Sequence, residues 1–267
     1  MTGHFLTQRL NQHQILTGLT GIIDALQVHV WPVIDSTHDH IIRQTLASQC
    51  QIHVAEKQTA GHGQRGQIWD SPAYENLYVS MRWQLPRASK DCLGVSQVAS
   101  LALAQALSKQ TKLASPRLGI KWPNDLYVDG KKIAGLLLHI KPGANHGSDV
   151  TVSFGLNVNQ LDLFNDRTSL YQVTGQQWDR NSLLISLIAL LYQMLEQFSR
   201  LGFAPFIDTY HQYDELHNAT VTLTVGNQTI QGQYLGLSPD GGLQLWQDGQ
   251  IMVYYTGAVA HVRKQSH

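Results

Sequence analysis

The segment GHGQRG, residues 61–66, together with the residues after it, constrains the fold of this chain more than any other feature. It matches the G-x-G-x-x-G pattern of dinucleotide-binding turns, which requires a preceding strand and a helix that begins at the third glycine. A strand is predicted over 51–57, but Pro72 and a second strand pattern over 76–84 come after the glycines. The sequence therefore disfavours a dinucleotide site, and without G-K-[ST] it also excludes a P-loop. The glycines still permit close backbone approach to a ligand, with a flexible connector as the alternative.

Other apolar runs predict a mixed architecture. Runs rich in Val, Ile, Leu or Tyr, bounded by turn residues, also predict strands over 118–121, 132–140 and 149–159. The pair Asp129-Gly130 lies between two such runs and predicts a hairpin. Helices are predicted over 36–49, 95–109 and 181–201, the last capped by Asn181. These elements predict an α+β fold with a mixed sheet packed with helices.

The pattern changes after about Asn218. Short strands are predicted over 221–225, 229–237, 242–247 and 251–255, separated by Gly- and Asp-rich turns. Several short strands in so short a segment predict a small SH3-like β-barrel. The sequence thus predicts two domains, residues 1–217 and 218–267.

Composition limits the class of protein. The 267 residues carry no formal net charge, which argues against a dedicated nucleic-acid-binding protein. Cys50 and Cys92 form no C-x-x-C pair, which indicates buried thiols in a reducing compartment. The N-terminus does not resemble a signal peptide, and the most apolar segment, 183–195, is too short to span a bilayer. We therefore expect a cytoplasmic protein that contacts neither membrane nor nucleic acid, and no histidine metal site, since H-E-x-x-H is absent.

Two strand ends combine charged and polar residues. KWPND, residues 121–125, places a cation, an amide and a carboxylate at one turn, although ordinary surface turns have similar composition. In KKIAG, residues 131–135, a lysine enters an apolar strand and small residues come after it. This arrangement predicts a lysine that binds an anionic group of a ligand. The alternative is a lysine at the end of the strand whose ammonium group extends into solvent.

Taken in order, five motifs resemble those of the biotin–protein ligase family. They are DSTH (35–38), Gln58 with GHGQRGQIWDSPAYENLYVS, KWPND, KIAG and GLNVN (155–159), and the resemblance extends from about 16 to 264. It implies a class II synthetase-like catalytic domain followed by the SH3-like domain. It also implies ATP-dependent formation of biotinyl-AMP with Mg²⁺, and transfer of biotin to a lysine of the biotin carrier domain of acetyl-CoA carboxylase. Monomer and homodimer both stay open.

The resemblance also implies roles for individual residues. Lys132 is the implied catalytic residue, and Asp125 the implied Mg²⁺ ligand. The implied biotin-binding residues are Ser36, Thr37, His38, Gln58, Gly61, His62, Gly63, Gln64 and Gly135. The implied nucleotide-binding residues are Arg65, Gly66, Trp69, Lys121, Asn124 and Asn157.

The chain departs from the family pattern in its glycine loop. Many family members have G-R-G-R-R-G-R there, whereas this chain has His62, Gln64 and Gln67 and keeps only Arg65. A lost charged contact of about 1.5–3 kcal/mol predicts weaker retention of the adenylate, unless the loop backbone holds it instead. His38 also stands where the family usually has Asn.

Three further expectations concern function. Only about 15 residues precede the matching region, too few for the DNA-binding domain of some family members, so we expect no operator binding. A lipoate or octanoate ligase or transferase of the same fold is one alternative function. A non-catalytic binder of biotin or its adenylate is the other.

Overall fold

The computed structural model describes residues 8–45 and 48–261, with the side chains of Arg65 and His261 outside that description. The helices are α1 (Gln12–Leu19), α2 (Thr37–Arg43), α3 (Val95–Thr111), α4 (Leu170–Thr174), α5 (Arg180–Leu201) and α6 (Ile207–His211). The first seven strands are β1 (Leu26–Trp31), β2 (Cys50–Ala55), β3 (Leu77–Leu85), β4 (Leu118–Lys121), β5 (Asp125–Val128), β6 (Lys131–Pro142) and β7 (Ser148–Leu156). The others are β8 (Thr220–Val225), β9 (Gln228–Leu237), β10 (Leu243–Gln247), β11 (Gln250–Tyr254) and β12 (Ala258–His261).

The first seven strands form one sheet in the order β1-β2-β3-β7-β6-β5-β4. The β1–β2 pair is parallel and the other pairs are antiparallel, so the predicted mixed sheet is confirmed. The β5–β6 hairpin turns at Asp129 and Gly130, whose φ angles are 50° and 75°. A two-residue type I′ hairpin requires positive φ at both turn residues, which explains the Asp-Gly pair.

The two faces of this sheet differ in polarity. Along β3, Val79 and Met81 join the hydrophobic core that includes α3 and α5. Tyr78, Ser80 and Arg82 alternate with them and point to the opposite face, where α2 packs. The central strands are therefore buried on both faces, and the polar face is the one available for a binding site.

The last five strands form an antiparallel sheet in the order β11-β10-β9-β8-β12. This arrangement is consistent with the predicted SH3-like domain. The predicted division at 217/218 stays a prediction.

Helix α2 is shorter than the sequence predicts, since it ends at Arg43 and not at residue 49. Gln44 is extended, and the Arg82 guanidinium on β3 donates to the carbonyl oxygens of Ile41 at 2.9 Å and Gln44 at 2.6 Å. The last carbonyls of the helix are thus satisfied by a side chain from the sheet and not by a further helical turn.

Helix α5 is capped by Asp179, not by Asn181 as predicted. The Asp179 Oδ1 accepts from the backbone N–H groups of Asn181 at 2.8 Å and Ser182 at 3.0 Å. The buried Asn181 side chain instead accepts from the Asn11 N–H at 2.8 Å, which fixes the start of α1.

Helix α5 is 22 residues long and, by length and composition alone, is apolar enough to cross a membrane, whereas the sequence analysis considered only its most apolar segment, 183–195. Half of its most apolar stretch is buried, and it packs against α1 and α3. This is the environment of a core helix.

The cysteines lie in the interior as predicted. Cys50 and Cys92 are free and buried, and burial raises the pKa of the Cys50 thiol to about 12.

Candidate active site

The strand register places one residue from each strand of the seven-stranded sheet in a single row across the polar face. In spatial order the row consists of Trp31, Ala55, Tyr78, Gly155, Gly135, Asp125 and Lys121. Aromatic residues lie at one end of the row and charged residues at the other. The two glycines in the middle have no side chains, so they leave space above the sheet. The indole of Trp69 lies over Gly155, where a Cβ atom would overlap three indole atoms.

A cavity of about 190 Å³ opens above the part of this row formed by Gly155, Gly135, Asp125 and Lys121. It brings together residues from the DSTH segment, the glycine loop and the two lysine motifs. The predicted site residues that line it are Ser36, Thr37, His38, Gln58, His62, Gly63, Gln64, Trp69, Lys121, Asn124, Asp125, Lys132 and Gly135. Segments far apart in sequence thus form one site.

Two loop glycines do not line the cavity. A Cβ on Gly61 would lie 2.6 Å from Ser71 Oγ and 2.8 Å from Gln58 Nε2, so glycine lets the loop pass over the Gln58 side chain. Gly66 has a φ of 71°, a conformation that glycine adopts at little cost. Both glycines therefore shape the loop. The Arg65 side chain lies outside the described part of the structure.

Asn157 also lies away from the cavity. It is 2% exposed, its Nδ2 donates to the Thr168 carbonyl at 3.0 Å, and its N–H donates to the Ile133 carbonyl at 3.0 Å. Its amide holds the segment before α4 against the end of β7.

One end of the cavity is polar but uncharged. The Thr37 N–H donates to Gln58 Oε1 at 2.8 Å, and Gln58 Nε2 donates to Ser71 Oγ at 3.2 Å. The Ser80 hydroxyl donates to Thr37 Oγ1 at 2.9 Å. Ser36 caps α2 through its hydroxyl. These hydrogen bonds fix the side chains before any ligand arrives, which reduces the entropy lost on binding.

His38 closes the same end. It is 8% exposed, and its Nδ1 lies 2.8 Å from Ser153 Oγ. Burial lowers the pKa of His38 to about 4, and His62 and His139 lower it further against the opposing effect of Asp39. The ring is therefore neutral at pH 7 and presents one donor and one acceptor nitrogen.

The other end of the cavity is charged. Lys132 Nζ lies 2.6 Å from Asp125 Oδ2, and both side chains are partly exposed to the cavity. Lys132 Nζ also lies 5.7 Å from the Trp69 ring centroid. Asn124 Nδ2 donates to the Leu136 carbonyl at 2.9 Å, so this buried amide secures the turn that carries Asp125.

Lys121 lies on the same side of the cavity. Its Nζ is 5.5 Å from the Tyr127 ring centroid. Burial lowers the pKa of Lys121, Lys132 lowers it further, and Asp125 and Glu215 oppose the shift.

The sequence analysis missed Arg167. Its Cζ lies 5.4 Å from the Trp69 ring centroid, and it lines the cavity. The Lys132 N–H donates to the Asp166 carbonyl at 2.9 Å, and the Thr168 N–H donates to the Lys132 carbonyl at 3.0 Å. Arg167 comes after GLNVN without a motif of its own, so no local signal identifies it.

The second sheet also contributes to the cavity. The cavity is lined by Gly257, which directly precedes β12, and by Ala258 and Val259 at the start of that strand. Their position depends on how the small domain packs, which the local sequence does not encode.

Comparison with known proteins gives the same architecture. Biotin protein ligase from Aquifex aeolicus, solved in complex with biotin and ATP, matches with a TM-score of 0.76 and 27% identity over 89% of this chain and 99% of that one. The profile of the biotin/lipoate A/B protein ligase family matches residues 30–159. The bifunctional ligase/repressor BirA of Escherichia coli K12 is 34% identical over 258 residues, 95% of this chain and 78% of the relative. The chain belongs to the biotin protein ligase family.

Other members of the biotin protein ligase family support the predicted enzyme class. The biotin–[acetyl-CoA-carboxylase] ligase of Mycobacterium tuberculosis is 26% identical over 79% of each chain. The predicted class, a ligase that uses biotin and ATP and forms a carbon–nitrogen bond, is confirmed by these relatives.

Proposed function

We propose that the chain joins biotin to AMP and then transfers the biotinyl group to a lysine of the biotin carrier domain of acetyl-CoA carboxylase. The observation that carries this proposal is the cavity itself, with the Lys132–Asp125 pair at one end and the Gln58-anchored polar residues at the other. Family membership supports the reaction, and relatives named as biotin–[acetyl-CoA-carboxylase] ligases support the choice of carrier.

The polar end suits the ring system of biotin. A ureido group offers two N–H donors and a carbonyl acceptor, and it needs partners of both kinds. Thr37, Gln58 and the neutral His38 provide hydroxyl, amide and imidazole groups that are already held in place. Binding biotin here directs its carboxylate toward the lysine end of the cavity.

The lysine end suits the first chemical step. A biotin carboxylate oxygen attacks the α-phosphorus of ATP, and the bond from that phosphorus to the pyrophosphate oxygen breaks with its electron pair. The reaction places several negative charges together, and the Lys132 ammonium stabilises them. Asp125 holds that ammonium at the cavity wall, so little reorganisation is needed when charge develops.

The site suits a Mg²⁺ ion that is bound mainly by the phosphates of ATP. Asp125 is the carboxylate among the described residues that line the cavity, and Mg²⁺ is usually held by one or two carboxylates together with substrate phosphates. Asp125 would therefore contact the ion, which when bound neutralises phosphate charge. Within residues 8–45 and 48–261 no group of three or more His, Cys, Asp or Glu is arranged to hold a metal.

The second step makes the new amide. The neutral ε-amine of the carrier lysine attacks the acyl carbon of biotinyl-AMP, the acyl–oxygen bond breaks, and AMP leaves with that oxygen. The nitrogen then loses a proton. Trp69 and the loop residues His62, Gly63 and Gln64 line the cavity around this anhydride and limit the access of water.

The test separates the two steps. We expect biotin-dependent exchange of pyrophosphate into ATP, with lipoate and octanoate as inactive alternatives, followed by biotin transfer to a carrier domain. Lys132→Ala should abolish both steps, and Lys131→Ala, an exposed neighbour outside the cavity, should retain them. Exchange with lipoate but not with biotin would contradict the proposal that biotin is the substrate. Exchange without transfer would contradict the proposed carrier domain.

A further inference from the structure

We propose that Arg167 binds the phosphate groups of ATP and of the adenylate, and that it supplies positive charge that Gln64 and Gln67 of the glycine loop do not. This inference rests on the proposed function, which it deepens. The backbone places Arg167 beside Lys132, the residue proposed to stabilise the charge that develops in the reaction.

The main chain pairs Arg167 directly with Lys132. The hydrogen bonds from Lys132 to Asp166 and from Thr168 to Lys132 make Lys132 and Arg167 partners in a short parallel bridge. Directly paired residues in a β-ladder project to the same face. Both side chains reach the indole of Trp69, at 5.7 Å and 5.4 Å from its centroid. The guanidinium and the ammonium thus border the same part of the cavity.

Arg167 is the cation best placed to accept a new anionic partner. The described charged residues that line the cavity are Lys121, Lys132, Arg167 and Asp125. Lys132 is already paired with Asp125. Lys121 Nζ lies 5.5 Å from the centroid of the Tyr127 ring, whereas Lys132 and Arg167 both lie beside Trp69. Arg167 is half-buried and forms no ion pair with any residue that the structure describes.

The chemistry of the guanidinium matches a phosphate. It presents a planar fork of N–H donors that binds two phosphate oxygens together, and its positive charge is delocalised over that fork. Stacking on Trp69 restricts its orientation before the nucleotide binds. Gln64 and Gln67 also line the cavity, but their amides carry no charge. Among the described residues that line the cavity, the cations available to a polyanionic ligand are therefore Lys121, Lys132 and Arg167.

The experiment compares Arg167→Gln and Arg167→Lys with Arg117→Gln. Arg117 lies outside the cavity, where it pairs with Asp129 at the surface, so its substitution makes the same charge change away from the site. The readouts are the KM values for ATP and for biotin in pyrophosphate exchange, the rate of biotinyl-AMP release, and the equilibrium Kd of ATP.

Arg167→Gln should raise the KM and Kd for ATP and speed adenylate release by about 10- to 100-fold, while the KM for biotin stays unchanged. Arg167→Lys should recover part of this loss, because it restores charge without the fork. Arg117→Gln should behave as the unaltered chain. If Arg167→Gln unfolds the chain, Arg167→Lys provides the test instead. It should weaken the affinity for ATP and leave the KM for biotin unchanged.

Unchanged ATP affinity and release rate in Arg167→Gln would overturn the inference, as would an equal loss of ATP and biotin affinity. The proposed function fails separately, if the unaltered chain shows no biotin-dependent exchange. In that case the equilibrium Kd of ATP, which needs no catalysis, still tests Arg167.

Discussion

The buried His38 predicts a specific loss of stability in acid. In the folded chain its pKa is lowered from 6.5 to about 4, chiefly by burial. Protons therefore bind the unfolded chain more readily than the folded one, and stability falls as the pH drops from about 6.5 toward 4. At about pH 5 the unfolded imidazole is mostly protonated and the folded one is mostly neutral. The difference is worth about 2 kcal/mol, from 1.36 kcal/mol per pH unit over roughly 1.5 units.

The assay is urea unfolding at about pH 7.5 and at about pH 5, for the unaltered chain, His38→Asn and His13→Asn. His13 is exposed on α1 and provides the same substitution without burial. Between the two pH values, His38→Asn should lose about 2 kcal/mol less stability than the other two proteins. His53, whose pKa burial lowers to about 3, is present in all three and cancels. Equal losses in all three proteins would refute the account of His38.

Three other predictions concern the site and its support. Gly155→Ala should reduce pyrophosphate exchange sharply with the fold retained by circular dichroism, because the new methyl group displaces Trp69; full activity would refute this packing. Glu56→Gln should lower the free energy of unfolding by about 3–5 kcal/mol in urea, because it leaves the buried Arg180, 2.7 Å away, without its counter-charge; a loss below about 1 kcal/mol would contradict this. Gln64→Arg should slow the release of biotinyl-AMP by about tenfold or more, measured by chase with unlabelled adenylate, and an unchanged rate would show that the loop backbone already holds it.

Much of the architecture could be predicted because its signals are local. The β5–β6 hairpin depends on Asp129 and Gly130, and the strands around it on runs of apolar residues. Strand β1 was missed because it is an edge strand in which Val28 is the only buried residue, so it lacks a clear apolar run. Helix α2 was predicted too long because its end is set by Arg82, about 40 residues away in sequence.

Most of the residues predicted for the site line the cavity, but the geometry of the site could not be predicted. The motifs identified Lys132, Gln58 and Trp69, which all line the cavity. The row that places Gly155 beside Gly135 depends on strand register, which long-range pairing determines. The same holds for Arg167, whose position results from one bridge to Lys132 and from no local pattern. Local sequence thus specifies which groups are available, and tertiary pairing specifies which of them meet.

Biotin transfer to a carrier domain tests the central claim most directly. The chain is incubated with biotin, ATP, Mg²⁺ and the biotin carrier domain of acetyl-CoA carboxylase, and the carrier is weighed by mass spectrometry. We predict a mass increase of one biotinyl group at a single lysine, dependent on ATP, lost in Lys132→Ala and retained in Lys131→Ala. A carrier that keeps its mass with the unaltered chain, or gains biotin equally with Lys132→Ala, would contradict the account.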